Sequence, residues 1–255
     1  IRKNLLPTFI QDLNASRHPG AAPVVAALAK AVGVLVPEAR LVRVEDTIAA
    51  RDGQGMLGYA VSVSTAGRTT ADVLDSLRAR GGRNFDARTY LRERLFDTYL
   101  GTVDDSPDQW RWSRTGPDGR WTPEPRGRER AFAKYDGVLA GLARGTIPAF
   151  VNFGEGYQEQ LGVMAYQRTL DRQLLSLLDW AVWDSVTSEF EAALTDSVMD
   201  PAVVQLRPEY HAGGASFLAS GLRARRDLLP KAALGLYRLA HQQAAFFGTP
   251  GAGAV

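Results

Sequence analysis

The chain has no cysteine. That excludes a disulfide framework, a zinc ribbon, a thiolate nucleophile and an iron–sulfur centre. Histidine is scarce, and His18, His211 and His241 stand too far apart for a His-rich metal motif. Only four of the 30 basic residues are lysines: Lys3, Lys30, Lys134 and Lys231. No apolar run approaches the ~20 residues of a membrane-spanning helix. Charge of one sign is also missing, with a formal net charge of +2 over 255 residues. The densest basic runs, Arg78–Arg83 and Arg223–Arg226, read as solvated helix faces. They lack the basic stripe with interleaved aromatics that marks a nucleic-acid binder. The first residue is Ile and no secretion signal follows, so the start reads as a cut end.

What is present suffices for a folded core. The chain is 45% hydrophobic, and at this length it buries roughly 70–75% of its unfolded surface. Apolar residues at helical spacing over 22–35 stop at Gly33, a C-terminal signal. Leu41, Val42 and Val44, then Tyr59–Ser64, flank a Gly-rich turn and predict a hairpin. Thr69 or Thr70 caps a helix through Arg80 with Val73, Leu74 and Leu77 inward. Asp86 caps the next, whose stripe is Tyr90, Leu91, Leu95, Phe96, Tyr99 and Leu100. Trp110–Arg114 and Arg120–Thr122 flank a Pro-Asp-Gly turn, a hairpin signal, with Pro123 and Pro125 ending the second strand. Leu170–Leu194 reads as helical, Asp200-Pro201 opens a short helix, and Phe217–Phe247 forms one or two helices broken near Pro230. The expected fold class is α+β: a helix-rich domain with early strands and a central hairpin over 109–123.

The informative stretch joins the Asp86 helix to that hairpin. A helix delivers Gly101, then an acidic loop, then a hairpin, then the second charged loop that follows Pro125. Kinase-like enzymes build phosphoryl-transfer sites on such a plan: an Asp orients the hydroxyl, and an Asn or Gln five residues on holds metal. Asp104 and Gln109 have that spacing, and the hairpin brings the chain back to Glu129.

Longer motifs carry a family resemblance. Arg94-Leu95-Phe96-Asp97 leads through Gly101, Asp104, Asp105 and Asp108 to Gln109-Trp110-Arg111-Trp112. Pro125-Arg126-Gly127-Arg128-Glu129 continues to Ala131-Phe132 and Tyr135-Asp136-Gly137. Gln11, Asp12, His18 and Pro19 match an upstream pattern; Leu170-Asp171-Arg172 and Arg225-Arg226-Asp227 match downstream ones. Together they resemble the diverged kinase-like domain of large bacterial cell-envelope proteins, often found with a metallophosphoesterase and an outer-membrane barrel. That domain is similar in plan to HipA-type and phosphatidylinositol kinases.

The resemblance implies a protein-kinase-like C-lobe over 69–247, an N-lobe remnant over 1–68 and a disordered tail over 248–255. It implies Asp104 as the catalytic Asp, with Gln109 and Glu129 as metal positions. Asp97, Asp105, Asp108, Trp110, Arg126, Arg128 and Asp136 are further motif positions. The pattern's Asp after Gly is here Thr102, its Arg-His pair is Asp105-Ser106, and Pro107 follows. Its first metal Asp is Gly127 and its second is Glu129. No strand with a nucleotide-pairing Lys is recognisable; it would lie before Ile1. The expected function is therefore a pseudokinase or scaffold, with weak or no phosphoryl transfer. An active phosphotransferase using ATP and magnesium with an altered metal site is the alternative. Expected partners are an envelope protein or other domains of the same polypeptide, with no nucleic acid and no transmembrane helix. The expected location is the periplasm or the outer membrane, by resemblance.

Other readings weigh less. Asp97, Asp104, Asp105 and Asp108 read as a metal cluster or as a solvated acidic turn. Trp110, Trp112 and Trp121 stack a sugar or base, or pack as a cross-strand pair against a helix. His18 is a base or a hydrogen-bonded turn residue. Ser64, Ser106 and Ser113 have no partnering His in a nucleophile-elbow motif. Gly53, Gly55 and Gly58 lack the βαβ setting of a dinucleotide fingerprint.

Overall fold

The computed structural model describes residues 17–18, 20–36, 39–44, 56–61, 67–79, 84–102, 109–114, 116, 119–125, 128, 130–143, 147, 150–157, 168–206 and 214–242. Among these the chain is a helix-rich α+β fold. Its elements are α1 (Ala21–Val32), β1 (Ala39–Val44), β2 (Met56–Val61), α2 (Thr70–Ala79), α3 (Ala87–Leu100), β3 (Trp110–Ser113) and β4 (Thr122–Pro125), then α4 (Val138–Ala143), α5 (Arg168–Leu175), α6 (Trp180–Ala193), α7 (Asp196–Val204) and α8 (Gly214–His241).

The strands form two separate antiparallel pairs, β1 with β2 and β3 with β4. Helix α1 ends at Gly33, left-handed at φ 66°, and packs on α6 and α7. Thr69 opens α2 by a reciprocal cap: its amide and hydroxyl donate to the Asp72 carboxylate, and its hydroxyl oxygen accepts the Asp72 amide. Asp86 caps α3 by accepting the Thr89 amide at 3.0 Å.

Helix α3 is the axis. It packs on α5, α6, α8 and β4, and every residue from Glu93 to Leu100 is buried. A stripe accounts for Tyr90, Leu91, Leu95, Phe96, Tyr99 and Leu100; burial on all sides also takes in Glu93, Arg94, Asp97 and Thr98. One hydrophobic core runs from α1 through α3 and the hairpin to α8.

Some boundaries differ from expectation. Strands β1 and β2 begin at Ala39 and Met56, ahead of Leu41 and Tyr59. Pro125 ends β4 as expected, opposite Trp110, but Pro123 lies inside it, opposite Trp112; a two-stranded ribbon leaves an edge where a missing N–H does no harm. The 170–194 segment is two helices, because Asp179 caps α6 through the Val182 amide at 3.0 Å. Helix α7 starts at Asp196, with Pro201 in its interior. Helix α8 runs unbroken for 28 residues through Pro230. Proline inside a helix costs about 3 kcal/mol; here buried Leu229, Ala232 and Ala233 around it supply offsetting packing.

The tryptophans are buried: Trp110 is 1% exposed, Trp112 0% and Trp121 6%. The sugar-stacking reading is thereby excluded. Trp110 and Trp112 lie on one strand and pack on Tyr90 at 5.2 and 5.8 Å between ring centroids. Their strand partners are prolines, so the helix contact is as expected and the cross-strand pairing is not. Trp121 instead bridges to Phe85 and donates to Ser76 Oγ at 3.4 Å. No helix among the described residues is long and apolar enough to cross a membrane.

Candidate functional site

The candidate site hangs from the C-terminal turn of α3. A helix leaves its last four carbonyls without intrahelical donors, and here each one is satisfied. The Asp97 carbonyl accepts the Thr102 amide at 3.0 Å and the Thr102 hydroxyl at 3.1 Å. The Thr98 carbonyl accepts the Gly101 amide at 3.1 Å and Arg225 Nη2 at 2.5 Å. The Tyr99 carbonyl accepts Arg225 Nε at 2.7 Å, and the Leu100 carbonyl accepts the Phe132 amide at 3.1 Å. Gly101 makes the turn possible at φ 72°, a left-handed conformation open to glycine without penalty. Phe132 reaches its own carbonyl partner at φ 60°, a conformation that costs a non-glycine residue of order 1 kcal/mol.

Arg225 comes from mid-α8 and is 0% exposed. Besides the α3 carbonyls it donates from Nη1 to Gly156 at 2.7 Å and Gly154 at 3.2 Å. Tyr157 stacks on the guanidinium at 4.1 Å, and its hydroxyl donates to the Arg225 carbonyl at 2.7 Å. Burial pulls the Arg225 pKa down to about 10, which leaves it a cation at neutral pH. The Arg223–Arg226 run is therefore only partly a solvated face. Arg223 and Arg226 pair with Asp196, Asp200 and Asp227 outside, while Arg225 points inward. Helical spacing carries the signal, since Arg225 falls on the buried stripe Leu218, Leu222, Leu229, Leu236.

One turn back along α3 lies a buried ionic network. Arg128 donates from Nε to Asp97 Oδ1 at 2.8 Å, from Nη2 to Glu93 Oε2 at 2.5 Å and from Nη1 to the Leu35 carbonyl at 3.1 Å. Glu93 Oε1 accepts the Leu35 amide at 3.2 Å. Arg94 holds Asp171 through Nε at 2.9 Å and Nη2 at 3.0 Å, and reaches Asp97 at 3.5 Å. The Tyr90 hydroxyl also donates to Asp171, at 2.9 Å. Burial lifts the Glu93 carboxyl to about 7 despite Arg128. For Arg128 and Arg94 burial acts the other way, but the adjacent carboxylates outweigh it and hold both above the ordinary range. Burial and the Asp171 charge push the Tyr90 phenol far up.

Of the residues singled out by sequence, Asp97 and Arg128 meet in this network. Asp97 is thus neither a solvated turn residue nor free to ligate. Asp171 and Arg225, which lie in the downstream motif matches, belong to the two clusters. Gln109 is half-buried just before β3, and Trp110 is in the core. Asp136 is exposed and accepts Asn152 Nδ2 at 2.8 Å. Asp104, Asp105, Asp108, Arg126 and Glu129 lie outside the described residues, as do Lys3, Gln11, Asp12, Pro19, Gly127 and the tail over 248–255. His18 is half-buried, accepts the Gly20 amide at 3.2 Å and packs edge-on to Phe132. Burial lowers its pKa. The turn-residue reading of His18 is the one this geometry supports.

No family model matches the chain, and no curated protein matches it. Among solved structures, the crystal structure of a Helicobacter pylori proinflammatory kinase, CtkA, aligns over 86% of this chain and 88% of that one. The two are 12% identical, with a TM-score of 0.45.

Proposed function

We propose that the chain is a degenerate kinase-like domain of a bacterial envelope protein, a scaffold or pseudokinase with weak or no phosphoryl transfer. The observation that carries this reading is the use made of position 102. There the resembling family has an acidic residue, and here a buried threonine turns its hydroxyl inward to cap α3. Nearby polar groups are equally committed. Asp97 spends one oxygen on Arg128 and the other on Arg94.

On this reading the donor set does not suit magnesium. A hard cation wants several carboxylate or phosphate oxygens. Gln109 brings a neutral amide, position 127 brings no side chain, and Glu129 is one methylene longer than the aspartate it replaces. The partner would be another domain of the same polypeptide or another envelope protein, at the periplasm or outer membrane. The rival reading, an active ATP- and magnesium-dependent phosphotransferase, rests on the Asp104–Gln109 spacing.

A thermal shift separates the two. A ligand at 100-fold over its Kd adds about 2.7 kcal/mol, on the order of 5–10 °C for a chain this size. The scaffold reading expects no saturable shift with magnesium–ATP and no effect of Asp104→Asn on the titration. The phosphotransferase reading instead expects a saturable shift together with autophosphorylation or nucleotide turnover that Asp104→Asn abolishes.

A further inference from the structure

The ionic network on α3 has a charge imbalance. Glu93, Asp97 and Asp171 supply three carboxylates, and Arg94 and Arg128 supply two guanidiniums. Guanidinium does not deprotonate in proteins, so among the described residues of the cluster it is a proton on a carboxylate that brings neutrality. The side chains of Glu93 and Arg128 are 1% and 3% exposed, leaving water little chance to screen the surplus.

The three acids are not equivalent. Asp171 receives two nitrogens of one guanidinium and a phenol hydroxyl. Asp97 lies against both arginines. Glu93 has one guanidinium contact and one backbone amide, and is the most deeply buried. Each of its oxygens accepts a single donor. A carboxyl oxygen has a second lone pair, so a proton adds without breaking either contact. Among the described residues, the charged groups that act on Glu93 are Arg128, after β4, and Asp97 on α3; Arg94 and, through it, Tyr90 and Asp171 on α5 join the network at Asp97. The amide and carbonyl of Leu35, after α1, complete the ring.

We propose that this network is a proton-operated latch, in which one proton on Glu93 sets how firmly the segments carrying Leu35 and Arg128 are held to α3. With the proton, two positive charges face two negative ones and the ring is closed. Without it, a surplus negative charge is buried that Arg128 offsets only in part and Asp97 adds to, so opening the ring to water is favoured. The segment of Arg128 leads within four residues to Phe132, which caps the end of α3. The proton therefore also tunes the hold on the last turn of α3. None of this depends on whether the domain transfers phosphate.

The sign follows from the direction of the shift. A carboxylate raised from 4.5 to about 7 stabilises the fold when protonated; that contribution is complete below 4.5 and disappears as pH rises through 7. The test uses the full chain with carbon-13 at the glutamate carboxyls. The Glu93 resonance is expected to titrate near neutral pH, and titration near the ordinary value of about 4.3 would overturn the proposal. Hydrogen exchange at the Leu35 and Phe132 amides reads the latch itself. After correction for intrinsic exchange, protection falls from about pH 6 to pH 8 in the natural chain and stays level in Glu93→Gln. Level protection in the natural chain would overturn the latch even with Glu93 titrating near neutral. Should Glu93→Gln not fold, the natural chain alone decides the matter.

Discussion

Two arginines are buried against one helix, and they are stabilised in opposite ways. Arg128 meets the Glu93 and Asp97 carboxylates, so its charge is balanced by formal charge and its pKa rises. Arg225 meets carbonyls of Thr98, Tyr99, Gly154 and Gly156, so it is balanced by dipoles, and burial lowers its pKa. The C-terminal end of a helix carries partial negative charge on its unpaired carbonyls, and Arg225 uses that end of α3 as its counter-ion. The first arrangement responds to protons, because a carboxylate can be neutralised. The second does not, because a peptide carbonyl cannot.

Removing each arginine should expose that difference. Arg225→Met is expected to be the most damaging, at roughly 4 kcal/mol or more, since it leaves several buried carbonyls without donors. Its deficit should be the same at acidic and alkaline pH in urea denaturation. Arg225→Lys should not restore it, because a point charge cannot span the carbonyls a planar fork reaches. Arg128→Met should cost about 3 kcal/mol at alkaline pH by stranding Glu93 and Asp97. That loss should shrink on acidification, as Glu93 takes its proton. Equal pH dependence for the two variants would erase the distinction. The smallest effect serves as a control: Asp86→Ala removes the cap at the other end of α3 and should cost about 1 kcal/mol at any pH near neutral.

The sequence makes the ends of elements readable and leaves the partners of buried charges unreadable. Asp86, Gly33 and Gly101 act locally, through their own backbone geometry, and the helices they bound appear where expected. Pro230 predicts a break in sequence because propensity counts the lost hydrogen bond and not the packing of Leu229, Ala232 and Ala233. Asp179 gives no cap signal in the sequence because apolar residues continue on both sides of it. The site divides the same way. Asp97 and Arg128 stand out in motifs, yet nothing local says they pair across 31 positions. Arg94 stands out only as the first residue of a motif and Glu93 not at all, because a helix buried on every side has no polar face to contrast with an apolar one. Arg225 was legible in principle, since a charge at a stripe position of α8 is out of place unless something inside receives it.

The central claim is that the end of α3 is a fixed structural anchor, and native-state hydrogen exchange tests it most directly. The amides of Gly101, Thr102 and Phe132 donate to the last carbonyls of α3. If the anchor is part of the core, at fixed acidic pH they should exchange only through global unfolding, with the free energy and denaturant dependence of the Tyr99 amide. Exchange of these three through a local opening, at a free energy well below the global value, would contradict the account.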